Sequence, residues 1–275
     1  MQADSLYWRA LEFYGNRVRH KGKWRVHEFL RRFAKIEACD LIVRREGVFW
    51  RLDPSDFVQS SLYWIGEFEG FYFANFSRWV NPDSIVLDIG ANFGYYSVRL
   101  GSMLSTGHIY CFEPSPRSFE RLKTNLELNR LESIATPVQL GLSDSSGAAR
   151  IATDGNNSGH HHISDTGQPI TVDTLDSFCE RCDIKRVDLI KIDIEGHEMH
   201  ALRGGEKTIQ RHHPRMMVEI FPRSLQEQGA SATELVSWLT ERGYQLWVLR
   251  RDKLVPFGKM PGPDDVINVF AIPSA

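Results

Sequence analysis

The chain has 275 residues, 42% of them hydrophobic and 25% charged, which is enough apolar material for one large core plus an extension and excludes a disordered or fibrous chain. A formal net charge of −2 argues against a protein that grips nucleic acid through phosphate contacts, and no stretch reaches the roughly 20 consecutive apolar residues that a membrane-spanning helix needs. The four cysteines, Cys39, Cys111, Cys179 and Cys182, are too few and too irregular for a disulfide framework, so the expected compartment is the reducing cytoplasm.

The first predicted elements are helical and basic. Residues 1–38 carry nine Lys or Arg against four Asp or Glu. Tyr7, Leu11, Tyr14 and Val18 stand at helical spacing, and Val26, Phe29, Leu30 and Phe33 repeat the pattern after Gly22, which predicts two amphipathic helices. They read first as a cap packed on the main domain and second as a peripheral surface for an anionic membrane or an acidic carrier. Residues 41–43 and 48–51 flank Glu46 and Gly47 as a β-hairpin, with Asp53, Pro54 and Ser55 marking its exit. This N-terminal helical and hairpin extension is expected to span residues 1–66, with the main domain over 67–275.

A regular alternation follows. Strands are expected at residues 85–89, 108–112 and 137–140, with helices from about Tyr95 and over 115–129. Between 142 and 171 the rhythm breaks into short strands and glycine-punctuated loops, an insertion placed to shape a substrate mouth. The pattern resumes with a strand at 187–192, a helix from about His197 to Arg211, a strand at 215–220 and a helix over 233–242. Two late strands near 245–249 and 266–272 are close enough to form an antiparallel final pair. Alternating strands and helices imply an α/β fold, doubly wound about a mostly parallel sheet.

Three strand ends carry the chemistry. Residues 86–97 read VLDIGANFGYYS, a buried strand that meets Asp88 and a turn in which Gly90 and Gly94 let the backbone bend and approach a ligand. The spacing is not the Gly-x-Gly-x-x-Gly turn that presents a helix N-terminus to a pyrophosphate, so a ligand without one fits better. The next strand closes on Glu113, whose two oxygens suit the vicinal hydroxyls of a ribose, although an acid there can also simply cap a helix. Residues 187–198 read VDLIKIDIEGHE and crowd Asp193, Glu195 and Glu198 about a third strand end.

Asp88, Gly90, Asn92 and Gly94 resemble the cofactor loop of class I methyltransferases. With the run EPSPRSFERLKTNLELN after the second strand, and with Lys191, Asp193, Glu195, Gly196, His197 and Glu198, residues 67–221 are similar to the FkbM family of methyltransferases. The resemblance implies a Rossmann-like sheet of seven strands, the last antiparallel, and S-adenosyl-L-methionine as cofactor. It further implies that Gly90 and Gly94 permit close approach, that Asp88 contacts the methionine end directly or through a water, and that Glu113 binds the ribose. Asn92 and Asp193 join this cofactor set, and Ser143 or Asp144 lies near the adenine amino group, although Asp144 in a Ser-Asp-Ser-Ser-Gly run can equally be a turn former.

A hydroxyl acceptor is a poor nucleophile, and a carboxylate or imidazole within hydrogen-bond reach assists by taking its proton. Glu195, Asp193 and His197 are the candidates, in that order. Glu198 suits the first turn of the following helix, Lys191 is expected to be a buried structural ion pair, and Glu219 points another acid into the region. His160, His161 and His162 lack paired ligand spacing, so no metal is expected. The expected activity is O-methylation of a hydroxyl on a sugar, glycan or polyketide-like small molecule. The competing readings are a nucleotide-linked oxidoreductase, a non-catalytic nucleoside-binding module and, third, a nucleic-acid or protein methyltransferase.

Overall fold

Glu46 and Gly47 both adopt left-handed backbone (φ 51° and 88°), the turn whose twist matches that of two flanking strands. Strands β1 (Leu41–Arg45) and β2 (Val48–Leu52) therefore pair antiparallel with Arg45 opposite Val48. The structure is a computed structural model that describes residues 13–14, 38–153, 158–159 and 161–274. The two predicted N-terminal amphipathic helices fall almost wholly outside these residues. Asp56 caps α1 (Phe57–Ile65) by accepting from Gln59 N, and α2 (Gly70–Phe76) follows. Trp50, Leu52, Leu62 and Phe76 are fully buried in the core that also holds Val98 and Leu122 of the central fold.

The central strand β3 (Ile85–Ile89) explains the layering, because successive side chains leave opposite faces of a strand. Val86 enters the core on the face of the hairpin and α1, while Leu87 and Ile89 enter the core on the other. Helix α3 (Tyr95–Gly101) leads to β4 (His108–Phe112), and α4 (Pro116–Leu128) to β5 (Ala135–Val138), two residues earlier than the periodicity predicts. Helix α4 also supplies the hairpin's missing partner. Asn125 Oδ1 accepts from Arg51 N (2.7 Å), and Asn129 accepts from Phe49 N (2.8 Å) and donates to its carbonyl (2.7 Å). Two side-chain amides thus satisfy backbone groups that would otherwise face an open sheet edge.

The insertion forms a sheet of its own. Strands β6 (Gly141–Leu142), β7 (Gly147–Thr153), β8 (His161–Ile163) and β9 (Gln168–Asp173) associate in the order β6-β9-β7-β8. Thr174 then caps α5 (Leu175–Arg181), and the chain re-enters the main sheet as β10 (Leu189–Ile192). The helix expected over 197–211 is two helices, α6 (Glu198–Gly204) and α7 (Glu206–His212), broken at Gly205. A Cβ on Gly204 would stand 1.9 Å from the Ser143 carbonyl, so this end of α6 is pressed onto the chain just after β6.

Strand β11 (Arg215–Ile220), the short α8 (Pro222–Glu227), α9 (Ala232–Glu241), β12 (Tyr244–Arg250), β13 (Lys253–Pro256) and β14 (Ile267–Pro273) complete the chain. The main sheet runs β13-β12-β14-β11-β10-β3-β4-β5. Strands β3, β4, β5, β10 and β11 are mutually parallel, and β14 is antiparallel to both β11 and β12. The seven expected strands are all present. The eighth, β13, extends the edge by pairing with β12 through the turn at Arg251 and Asp252, both in left-handed backbone.

Candidate active site

The turn after β3 is held before any ligand arrives. Gly90 N and Ala91 N both donate to Phe112 O (3.0 and 2.9 Å), which ties the turn to the end of β4. Gly90 has φ 79°, and a Cβ there would lie 1.9 Å from Asp193 O, so the exits of β3 and β10 pass too closely for any side chain. Gly94 also has positive φ (94°), but the atom that a Cβ there would meet is Leu122 Cδ1, at 2.8 Å. It serves the packing of α3 on α4 and is not among the residues that line the cavity described next.

A cavity of about 220 Å³ opens outside the carboxyl ends of β3, β4, β10 and β11, where open parallel sheets place ligands. On the β4 side it is lined by Gly90, Asn92, Phe112 and Glu113, with Leu140, Leu142 and Ile170 as apolar wall. Glu113 is 4% exposed; Oε1 accepts from Ser115 N (2.8 Å) and Oε2 from Asn92 N (2.9 Å). Burial pushes its carboxyl up to about 7 in spite of those two donors. Asn92, in left-handed backbone, donates from Nδ2 to Ser158 O (2.9 Å), while its Oδ1 is buried and accepts nothing from the described residues. Ser158 in turn binds the α1 cap, donating from N and Oγ to Asp56 (2.7 and 2.9 Å).

On the β10 and β11 side the lining is acidic: Glu69, Asp193, Glu195 and Glu219 line it together with Lys191 and Tyr96. Lys191 is 4% exposed; its Nζ donates to Gly90 O (2.9 Å) and lies 3.3 Å from Asp193 and 3.8 Å from Asp88. Burial disfavours the ammonium, but Asp193, Asp88 and Glu69 together overcome it and hold Lys191 charged. Asp88 itself is fully buried, accepts from Ser97 Oγ (2.5 Å) and is absent from the cavity wall. Lys191, which does line the cavity, links it to the site.

Glu195 and Gly196 form the turn after β10 in left-handed backbone (φ 55° and 101°), packed so that a Cβ on Gly196 would meet Ser224 O at 2.3 Å. Glu198 stabilises that turn from the first residue of α6, its Oε1 accepting from Ile194 N (2.9 Å) and Gly196 N (3.1 Å). Carboxylate oxygens of Asp193, Glu195 and Glu219 lie within 4.8 Å of one another, a spacing a cation can use. The expectation of no metal was argued on the histidine triplet and did not foresee this grouping. Of the histidine triplet, residue 160 lies outside the described residues, and His162 on β8 is not part of the cavity wall.

His197 lines the cavity, and its Nε2 is 3.0 Å from Ser143 Oγ. Burial, and then the neighbouring His200 stacked on it at 4.3 Å, lower its imidazole to about 4. Asp144 lies 2.7 Å from His200 Nδ1. Ser143 and Asp144 are thus engaged with His197 and His200 and are not among the residues that line the cavity.

Glu69 is the residue that sequence reasoning missed. It precedes α2 in left-handed backbone (φ 48°), outside any periodic segment, and accepts from Tyr96 OH (2.8 Å). Burial, with Asp193 nearby, raises its carboxyl to about 7. The available signal was a pair of acids, Glu67 and Glu69, in an aromatic-rich run that also contains Trp64, Phe68 and Phe71.

Residues 88–246 match the family model described as the methyltransferase FkbM domain. The chain is 30% identical over 135 residues to the hexuronic acid methyltransferase AglP of Haloferax volcanii, covering 46% of this chain and 52% of that protein. It is 31% identical over 145 residues to the 2-O-methyltransferase NoeI of Sinorhizobium fredii, covering 46% and 60%. The matches thus span only about half to three fifths of these relatives. The crystal structure of methyltransferase FkbM from Methylobacillus flagellatus has the same fold, with a TM-score of 0.50 at 17% identity over 76% of this chain and 52% of that one.

Proposed function

This chain belongs to the FkbM methyltransferase family, and from that premise we propose that it is an S-adenosyl-L-methionine-dependent O-methyltransferase acting on a hydroxyl of a sugar, glycan or polyketide-like small molecule. The observation that carries the reading is the cavity itself: a ribose-suited carboxylate and apolar wall on the β4 side, and a cluster of acids at the ends of β10 and β11. The names of the two relatives, one acting on a hexuronic acid and one a 2-O-methyltransferase, support a sugar-type hydroxyl.

The residues present fit the cofactor. Each Glu113 oxygen accepts one backbone hydrogen bond and retains a lone pair, enough for two hydroxyls, and the orphaned Asn92 Oδ1 offers a further acceptor. Phe112, Leu140, Leu142 and Ile170 offer a wall for a flat base. Gly90, Asn92, Glu113 and Asp193 are the residues that would hold the group. When bound, it supplies an electrophilic methyl carried on a sulfonium.

The protein's own work is positioning and proton removal. Lys191 fixes the Gly90 carbonyl and Asp193 relative to each other, so the two strand exits keep one geometry. Glu195 and Asp193 are assigned to receive the acceptor's proton, Glu195 first. Glu219 and Glu69 orient the acceptor's hydroxyls. Ser158 and Asn92 bridge the insertion to the β3 turn and screen the cavity from water.

Calorimetric titration with S-adenosylmethionine, S-adenosylhomocysteine and NAD tests the cofactor. Binding of the two adenosyl compounds alone, weakened at least tenfold in Glu113→Ala, is expected; preference for NAD would refute the assignment. Glu195→Gln should abolish transfer while leaving adenosylhomocysteine affinity within about threefold.

A further inference from the structure

The cavity's charge is lopsided. Five carboxyl side chains line it, namely Glu69, Glu113, Asp193, Glu195 and Glu219, and no arginine does among the described residues. Its lysine, Lys191, already donates to Gly90 O and lies against Asp193 and Asp88. Its histidine, His197, is bound to Ser143 and kept neutral. An anionic substituent entering beside Glu69, Asp193, Glu195 and Glu219 would therefore meet a site where burial and mutual repulsion already raise Glu69 to about 7 and Glu219 well above its ordinary value, with the wall's lysine already set against Asp193 and Asp88.

We propose that the β10 and β11 side of the cavity selects its acceptor by charge: it takes the hydroxyl face of a neutral or amino-bearing sugar and rejects one that carries a carboxylate, phosphate or sulfate beside the reacting hydroxyl. The proposal rests on the methyltransferase reading, adds the acceptor's chemical class, and on that point sets this chain apart from the relative that acts on a hexuronic acid. Hydroxyls are well served there, since each ionised carboxylate accepts two hydrogen bonds in parallel and needs only donors. Glu69 is the specificity-determining member. It lies outside the family-matched residues 88–246, is delivered by the segment between α1 and α2, and is oriented by Tyr96 OH. Charge at a desolvated site acts over several ångströms with little screening, so the discrimination is expected to exceed tenfold.

The test uses the full chain in EDTA at pH 8.5, above the value of about 7 to which Glu69 is raised, so that Glu69 carries its charge and only side-chain charge is read. Equilibrium affinities are measured calorimetrically for methyl glycosides of matched neutral hexose, 2-amino-2-deoxyhexose and hexuronate in gluco, galacto and manno configuration, in saturating S-adenosylhomocysteine. In every configuration that binds, the uronide should be at least tenfold weaker than its neutral partner. Glu69→Gln keeps the acceptor oxygen for Tyr96 and should narrow that ratio by threefold or more, with the variant's thermal midpoint confirming that it is folded. A uronide that binds as well as the neutral sugar, a ratio unmoved in Glu69→Gln, or no binding by any of the nine probes overturns the proposal. Absence of adenosylhomocysteine binding instead refutes the methyltransferase reading. In that case the ratio is measured without it and the charge selection stands or falls separately.

Discussion

Replacing Gly90 by alanine strikes the junction on which the site depends. Two costs are separable. An L side chain at φ 79° costs about 1–2 kcal/mol from backbone sterics alone. The added methyl would also lie 1.9 Å from Asp193 O and 2.8 Å from Ile194 Cγ2, contacts that can be relieved only by moving the exit of β3 or β10. Forcing a methyl into a filled interior costs about 1–3 kcal/mol more. The sum, roughly 2–5 kcal/mol, is a large part of the ~5–15 kcal/mol that holds a typical domain folded.

Gly243→Ala is the matched control, because Gly243 has φ 82° but nothing within 4 Å of a Cβ. Urea unfolding of both variants should therefore give a loss of about 1–2 kcal/mol for Gly243→Ala and at least about 1 kcal/mol more for Gly90→Ala. Adenosylhomocysteine binding should fall sharply in Gly90→Ala and stay unchanged in Gly243→Ala. Equal losses in the two variants would refute the claim that the β3 and β10 exits are in glycine-only contact.

Three other outcomes are expected. Glu198 is 1% exposed and burial raises its carboxyl to about 7, above the unfolded value of 4.5. The folded state therefore binds the extra proton between those values, and the associated stability is present below pH 4.5 and lost as pH rises through 7. Glu198→Gln should match the wild type near pH 5 and exceed it by about 2–4 kcal/mol at pH 8–9, read by denaturant midpoints across pH. Lys191→Met leaves Asp88 buried opposite no charge and should cost about 3–5 kcal/mol, with Asp88→Asn in the same chain restoring part of it; an additive double variant would contradict the pairing. Asn125→Ala removes the partner of Arg51 N and the donor to Phe93 O, and should cost about 2–4 kcal/mol in thermal unfolding, whereas a loss under 0.5 kcal/mol would mean the hairpin is held by its apolar side alone.

Local chemistry announced much of this protein. Ile85–Ile89, His108–Phe112 and Arg215–Ile220 are short apolar runs bounded by turn residues, and each forms a strand at those bounds. The Glu46-Gly47 turn forced the first hairpin, and an acid at the end of β4, β10 and β11 was readable because it interrupts an apolar run. Those signals depend on periodicity and backbone preference, which act within a few residues.

What the sequence left open depends on contacts across long separations. Asp88 and Gly94 stand in one short motif, yet one is buried beneath Lys191 and the other is pressed against Leu122, and neither motif nor spacing records which neighbour is met. Ser143 and Asp144 are turned to His197 and His200, more than fifty residues away. Glu69 has no periodic context and enters the site only because α1 and α2 pack over the hairpin face of the sheet. Order along the chain determined the strands and their acidic ends; tertiary packing decided which acids share one cavity, because burial, charge pairing and close approach belong to neighbours in space.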